Sequence, residues 1–260
     1  IAWQVTGRYP VRKSGRGLMP SPGWTGEYDW KGFLDVSVLP HALNPEQGYI
    51  GTANNKTVPP DYPHILSSSW YWPDRADRIG EMIASTDDHT YKTSMDMQLD
   101  VHSRLGLEIG RIFTQGALAE LIAGEIDSWP DRKMQEKARE ALSLLKDFDG
   151  NMAAESKNAL LVSSLTGTLT RDIFLDELGP ENSGTWKAFV SCNSISYNAT
   201  SDHVMLRGNE SPFWDDIATP ARETKAQIMA RSLAHSVELI ERRLGRDRST
   251  WSWGKLHTYD

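Results

Sequence analysis

The chain has 260 residues, 39% hydrophobic and 24% charged, with 28 lysines and arginines against 35 aspartates and glutamates for a formal charge of -7. That length supports one large domain or two small ones with a substantial core, and a net-acidic chain without a basic block excludes nucleic acid and anionic lipid as partners. The lone cysteine, Cys192, excludes an internal disulfide and a thiolate zinc cluster; every long uncharged run is broken by Ser, Thr, Pro or Gly, so no membrane-spanning helix is expected.

Glycine and proline punctuate residues 1 to about 60, and short strands are predicted at 1–5 and 48–53. Residues 28–33 alternate large apolar with polar side chains, as a half-buried segment does. The chain starts inside a strand pattern without an initiator Met and stops without a helix stop signal, so a piece of a longer polypeptide is expected. From about residue 74 the period becomes helical, with an apolar step at Ile79, Met82 and Ile83. Thr93 and Asp96 have capping-box spacing ahead of an apolar series at Met95, Leu99, His102, Leu105, Ile109 and Phe113. Met134, Ala138, Leu142 and Leu145 predict a helix closing at 147–150, and another is expected over roughly 154–176 until Pro180 breaks the pattern. Residues 183–219 are mixed. Met229, Leu233, Val237, Ile240 and Leu244 share one face of a last long helix that ends at Gly245. The reading is an α+β chain: residues 1–73 strand and loop, residues 74–260 mainly helical.

No dinucleotide-binding glycine loop, P-loop, HExxH or GxSxG is present. Asp100, His102 and Ser103 are triad residue types, but neighbouring helix positions point about 100° apart, so His102 does not bridge the other two. The seven histidines are scattered, none at a trustworthy metal-ligand spacing from another histidine or a carboxylate, and Asp87-Asp88-His89 reads as an exposed turn. Ten tryptophans make a non-catalytic, aromatic-rich carbohydrate-binding module the alternative from another class; without a repeated module they read more simply as packing residues. Asn55, Asn198 and Asn209 begin formal glycosylation sequons. Asn54 and Asn55 follow the strand predicted at 48–53. An amide at a strand end is held rigidly and offers N–H donors to a developing oxyanion; the same pair also suits an asparagine-rich turn, which spacing alone favours.

The run Pro22-Gly23-Trp24-Thr25-Gly26-Glu27-Tyr28-Asp29-Trp30-Lys31-Gly32-Phe33 resembles the PGxxGxxDWxG signature of the penicillin acylase (penicillin amidase) family. Asn44-Pro45, Gly48-Tyr49-Ile50, Ala53-Asn54-Asn55, Asp61-Tyr62-Pro63, Ala76-Asp77-Arg78-Ile79, Gln98-Leu99-Asp100 with Ser103, and Trp253-Gly254-Lys255-Leu256-His257-Thr258 follow in the family's order, most densely within residues 1–103. The resemblance implies an N-terminal-nucleophile hydrolase of the αββα sandwich fold, with this chain as an internal portion of the large subunit. Residues 1–58 are then expected to give strands to a sheet completed by other segments. Ile1 has neither hydroxyl nor thiol, so the serine nucleophile is expected from outside the chain, and the rest of the large subunit and the small subunit become its partners.

By the same resemblance the substrate is a small N-acyl amide, such as an N-acyl-homoserine lactone, a β-lactam side chain or another acylated amine. Asn54 matches the oxyanion-hole asparagine, with Asn55 expected on the opposite face if the strand continues. Arg78, in its Ala-Asp-Arg frame, matches the family arginine that sits near the site and orders the asparagine and the nucleophile's surroundings, with Arg75 a nearby competitor; Arg78 is expected to be the more buried and bonded toward Asn54. No cofactor is expected. The family's structural calcium would take its ligands mostly from outside the chain, and its position after Asp61-Tyr62-Pro63 falls near Leu66, which has no side-chain oxygen. A bacterial periplasmic or secreted location is expected.

Overall fold

A computed structural model describes residues 1–67, 70–196 and 208–258, with the backbone alone for 192–196; the sequon at Asn198 lies outside the described residues. They fall into two units, Ile1–Glu81 and Met82–Asp260.

In the first unit, turn residues leave only short strands. β1 (Ala2–Gln4) pairs antiparallel with β4 (His41–Leu43), Trp3 opposite Ala42, and β2 (Pro10–Arg12) pairs antiparallel with β3 (Trp30–Phe33), Val11 opposite Gly32. β1 and β3 fall within the predicted segments 1–5 and 28–33. β2 and β4 are too short for a period-2 pattern to reveal them. The ribbons are thinly covered: Trp24 is 89% exposed and Leu43 74%. The strand predicted at 48–53 does not form. Positive φ angles lie at both ends of the segment, at Gly48 (78°) and Asn54 (66°), and the bridge seen beside it among the described residues is an isolated parallel one between Asn55 and Tyr71. Helix α1 (Asp74–Ala84) begins in this unit.

The second unit is helical: α2 (Tyr91–Gln98), α3 (Arg104–Thr114), α4 (Gly116–Ser128), α5 (Arg132–Lys146), α6 (Lys157–Leu178), α7 (Gly184–Ser196), α8 (Lys225–Leu244) and the one-turn α9 (Trp253–Leu256). The core forms where α8 packs on α4, α5 and α6. Of the face predicted for α8, Met229, Leu233, Val237 and Ile240 are at most 2% exposed, and only Leu244, in the last turn, is half-buried. Burying one such side chain stabilises by roughly 1.5–3 kcal/mol. Thr224 and Gln227 form a capping box at the start of α8, and Gly245 ends it. Among the described residues no helix is long and apolar enough to cross a membrane.

Two helical expectations are corrected. The capping box of α2 is Thr90 with Thr93, not Thr93 with Asp96: Thr90 Oγ1 accepts from Thr93 N (3.2 Å) while Thr93 Oγ1 accepts from Thr90 N (2.9 Å). A threonine hydroxyl takes the place usually held by Glu or Gln, and Asp96 pairs with Lys92 instead (3.1 Å). The series from Met95 to Phe113 spans two helices, because Ser103 caps α3 by accepting from Gly106 N (3.0 Å). Residues 100–103 are therefore not helical. Ser103 Oγ serves there as the helix cap, and no bond between His102 and Ser103 is seen among the described residues.

The α6–α8 seam is polar. Asp172 Oδ2 accepts from Ser232 Oγ (2.8 Å) and sits 2.8 Å from His235 Nδ1, and Thr168 Oγ1 lies 2.6 Å from Ser236 Oγ. A histidine thus meets a carboxylate 63 residues away, a pairing invisible in local spacing. The serine is bonded to the carboxylate rather than to the histidine, so this arrangement ties helices together instead of activating a nucleophile.

Near the end of α6, Glu177 Oε2 is buried without a hydrogen-bond partner among the described residues, while the adjacent Asp176 accepts from Ile217 N (2.8 Å). Burial, then the bond and charge of Asp176, push the Glu177 carboxyl up to about 7. The folded state therefore holds this proton more tightly than the unfolded chain does. The stability it contributes is complete below about pH 4.5 and is lost as pH rises through about 7. Glu177→Gln, a permanent donor to Asp176, is expected to remove that decline between pH 5 and 8, read as melting temperature against pH. A parallel decline in the variant would assign it to other groups.

Candidate active site

The site is built on the turn that replaces the expected strand end. Ala53 is buried, and its N–H donates to Asn55 Oδ1 (3.1 Å); Thr52 Oγ1 reaches the same oxygen at 3.4 Å. Asn55 therefore curls back over the turn rather than pointing to an opposite face. Asn54 adopts φ 66°, and its carbonyl accepts from Tyr71 N at 3.0 Å. Tyr71 leads into α1, whose first turn carries Arg75. Arg75 Nη2 donates to Ala53 O (2.5 Å) and to Asn54 Oδ1 (3.2 Å), and its guanidinium lies 5.1 Å from the Tyr71 ring centroid. A guanidinium only donates, so the oxygen of the Asn54 amide must face it. Nδ2, with two N–H donors, is left without a partner among the described residues.

Tyr49 fixes the segment leading into the turn. It packs on α1 at Gly80, where a Cβ would lie 2.7 Å from Tyr49 Oη, so a larger residue there would displace the phenol. Burial raises the Asp74 carboxyl above its usual value at the start of α1, with Arg75 beside it acting in the opposite direction.

Both sequence-selected residues thus lie in the first unit, but their expected bond is made by another arginine. Arg78 is the more buried of the two arginines, as expected, yet the bond to Asn54 Oδ1 comes from Arg75; Arg78 also pairs with Glu81 (3.4 Å). Arg75 belongs to the helix turn that follows Tyr71, whereas Arg78 sits one turn farther along the same helix side. The Leu66 carbonyl accepts from Tyr9 Oη (2.8 Å), and no group of three His, Cys, Asp or Glu able to hold a metal occurs among the described residues. A cleft of about 800 Å³ in the second unit, lined by Leu118, Leu121, Trp214 and Lys225 among others, contains none of these site residues. There Lys225 donates to Asn209 Oδ1 (3.0 Å), and burial lowers its pKa.

An exposed amide with its oxygen held and its N–H groups open is an anion-stabilising element of the kind that acyl-transfer hydrolases use. A family model described as penicillin amidase matches residues 1–260, and the chain belongs to that family. It is similar to an acyl-homoserine lactone acylase QuiP of Pseudomonas aeruginosa, 47% identical over 260 residues, covering 100% of this chain and 30% of that protein. A penicillin acylase 2 proenzyme of a Pseudomonas species is 30% identical over 172 residues, 66% of this chain and 20% of that protein. Among solved structures, a thermostable penicillin G acylase from Alcaligenes faecalis shares the fold with a TM-score of 0.62 at 17% identity, over 96% of this chain and 46% of that one. The chain spans about a third or less of the length of these curated relatives. Family membership selects the amidase reading over the carbohydrate-binding one. Trp214 and Trp251, 3% and 2% exposed, are core residues.

Proposed function

We propose that this chain supplies the oxyanion-hole amide, Asn54, of an amidase that cleaves an N-acyl amide to a carboxylic acid and an amine. The observation that carries the reading is the orientation of that amide, with Oδ1 held by Arg75 and Nδ2 open. When a nucleophilic hydroxyl attacks the substrate carbonyl, negative charge builds on the carbonyl oxygen. A donor already in place stabilises that charge more than it stabilises the neutral carbonyl. Collapse expels the amine, which takes a proton, and water then hydrolyses the acyl ester to the acid and restores the hydroxyl.

We assign the serine nucleophile, the acyl pocket and the small subunit to polypeptide outside these residues. The exposed apolar surface of the first unit, with Trp3, Trp24 and Leu43, suits cover by such segments. N-acyl-homoserine lactones are the favoured substrate class, supported by the names of relatives 42–47% identical over the whole chain. Arg75 orients Asn54, and Arg78, one turn farther along α1, keeps the supporting place beside the site that the family frame implies.

Release of homoserine lactone from N-octanoyl-homoserine lactone by the intact protein tests the reaction. No turnover of this or any other N-acyl amide would defeat it. In that assay Arg75→Ala is expected to lower kcat about tenfold, equivalent to roughly 1.4 kcal/mol. Arg78→Lys is also expected to slow turnover, because an ammonium does not reproduce a forked guanidinium. Parental rates in both variants would remove the arginines from the site.

A further inference from the structure

We infer that Asn55 is a positioning residue whose side chain holds Asn54 in the left-handed conformation that aims its amide. The inference rests on the oxyanion reading of Asn54. A residue other than glycine at φ 66° sits in a sparsely populated region, tolerated by asparagine but not its preferred state. Something on both sides must hold it there. After Asn54, its carbonyl accepts from Tyr71 N at 3.0 Å. Before it, the Ala53 carbonyl accepts from Arg75, and the Ala53 N–H is taken by Asn55 Oδ1 at 3.1 Å. That last bond reaches back across Asn54 and closes the turn around it.

The Ala53 N–H belongs to a residue 7% exposed, and a donor in such a place needs a partner. Loss of the Asn55 side chain leaves the donor unpaired and removes the tie that opposes relaxation of residue 54. The Asn55 backbone still bridges Tyr71, and the Arg75 bonds to Ala53 and Asn54 remain possible in geometry, so the turn shifts rather than unravels. Oxyanion donors act over short distances, which makes a small displacement of Nδ2 costly to the transition state and nearly neutral to substrate binding.

The test is steady-state hydrolysis of N-octanoyl-homoserine lactone by the intact protein and by Asn54→Ala, Asn55→Ala, Asn55→Gln and Asn55→Asp. Asn55→Ala is expected to lower kcat by about 10- to 100-fold while KM stays within about twofold. Asn55→Gln, which moves the acceptor one methylene away, is expected to behave likewise and gives a second reading should the alanine variant not fold. Asn55→Asp keeps an acceptor for Ala53 N–H and is expected to recover most of the lost turnover. Parental kcat in Asn55→Ala and Asn55→Gln beside a slow Asn54→Ala would overturn the positioning role. An Asn55→Asp variant as slow as the alanine one would overturn it too. Parental kcat in Asn54→Ala would instead overturn the oxyanion reading beneath it.

Discussion

Replacing Asn54 with alanine is expected to lower the turnover number of the intact protein by about two to three orders of magnitude, with little change in KM. The amide has no partner other than Arg75 in the described residues, and Asn54 is exposed, so its removal opens no cavity and leaves no buried group unpaired. The turn keeps its backbone bonds through Tyr71 and Asn55. What disappears is a donor that matters when charge develops on the substrate oxygen; alanine also meets φ 66° at a backbone cost of roughly 1–2 kcal/mol, which aspartate, tolerant of that region, largely avoids. Asn54→Asp separates the two halves of the amide. A carboxylate there can still accept from Arg75, but it offers no N–H and repels an oxyanion, so this variant is expected to be slower than the alanine one. Lys56→Ala, at an exposed neighbouring position, serves as the control. Steady-state kinetics decide the matter, and near-parental turnover in Asn54→Ala would return the segment to an ordinary turn.

The helical half of the chain was largely legible because its signals are local and repeated. Leu233, Val237 and Ile240 recur on one face of α8, and Gly245 follows at its end. Helix α5 likewise closes at Asp147, where the apolar period stops. The failures have a common origin in side chains that make bonds the sequence does not announce. A threonine hydroxyl completes the α2 capping box, moving the helix start three residues toward the N-terminus. Ser103 interrupts an unbroken apolar series by capping α3. In the first unit, extended propensity at 48–53 lost to the positive φ of Asn54, a turn stabilised by Asn55 and Arg75 rather than by a ladder partner. Asn54 was singled out through its motif, whereas the arginine that bonds its side chain, Arg75, was not. Two arginines three residues apart share a helix side, and only the position of Tyr71 and the Ala53 carbonyl distinguishes them.

Gly150→Ala is expected to cause the largest loss of stability among single substitutions in the second unit considered above. Gly150 lies between α5 and α6 at φ 92°, a left-handed conformation that costs an L-residue roughly 1–2 kcal/mol. A Cβ there would lie 2.8 Å from His102 Nδ1 and 3.0 Å from Nε2, and closer still to Cε1, so the ring must move. The ring is not easily displaced, because the two segments are tied on both sides. Ser103 N donates to Gly150 O (2.7 Å), Met152 N donates to Val101 O (3.0 Å), and His102 bridges Asn151. Overpacking of this kind adds about 1–3 kcal/mol, for a total of roughly 2–5 kcal/mol. A double-mutant cycle separates the contributions. His102→Ala in the Gly150→Ala background is expected to recover the steric part and leave the backbone part, since the smaller side chain clears the new methyl group but cannot change φ. Thermal or denaturant unfolding of the four proteins provides the measurement. Additive losses would show that His102 and residue 150 do not compete for the same space.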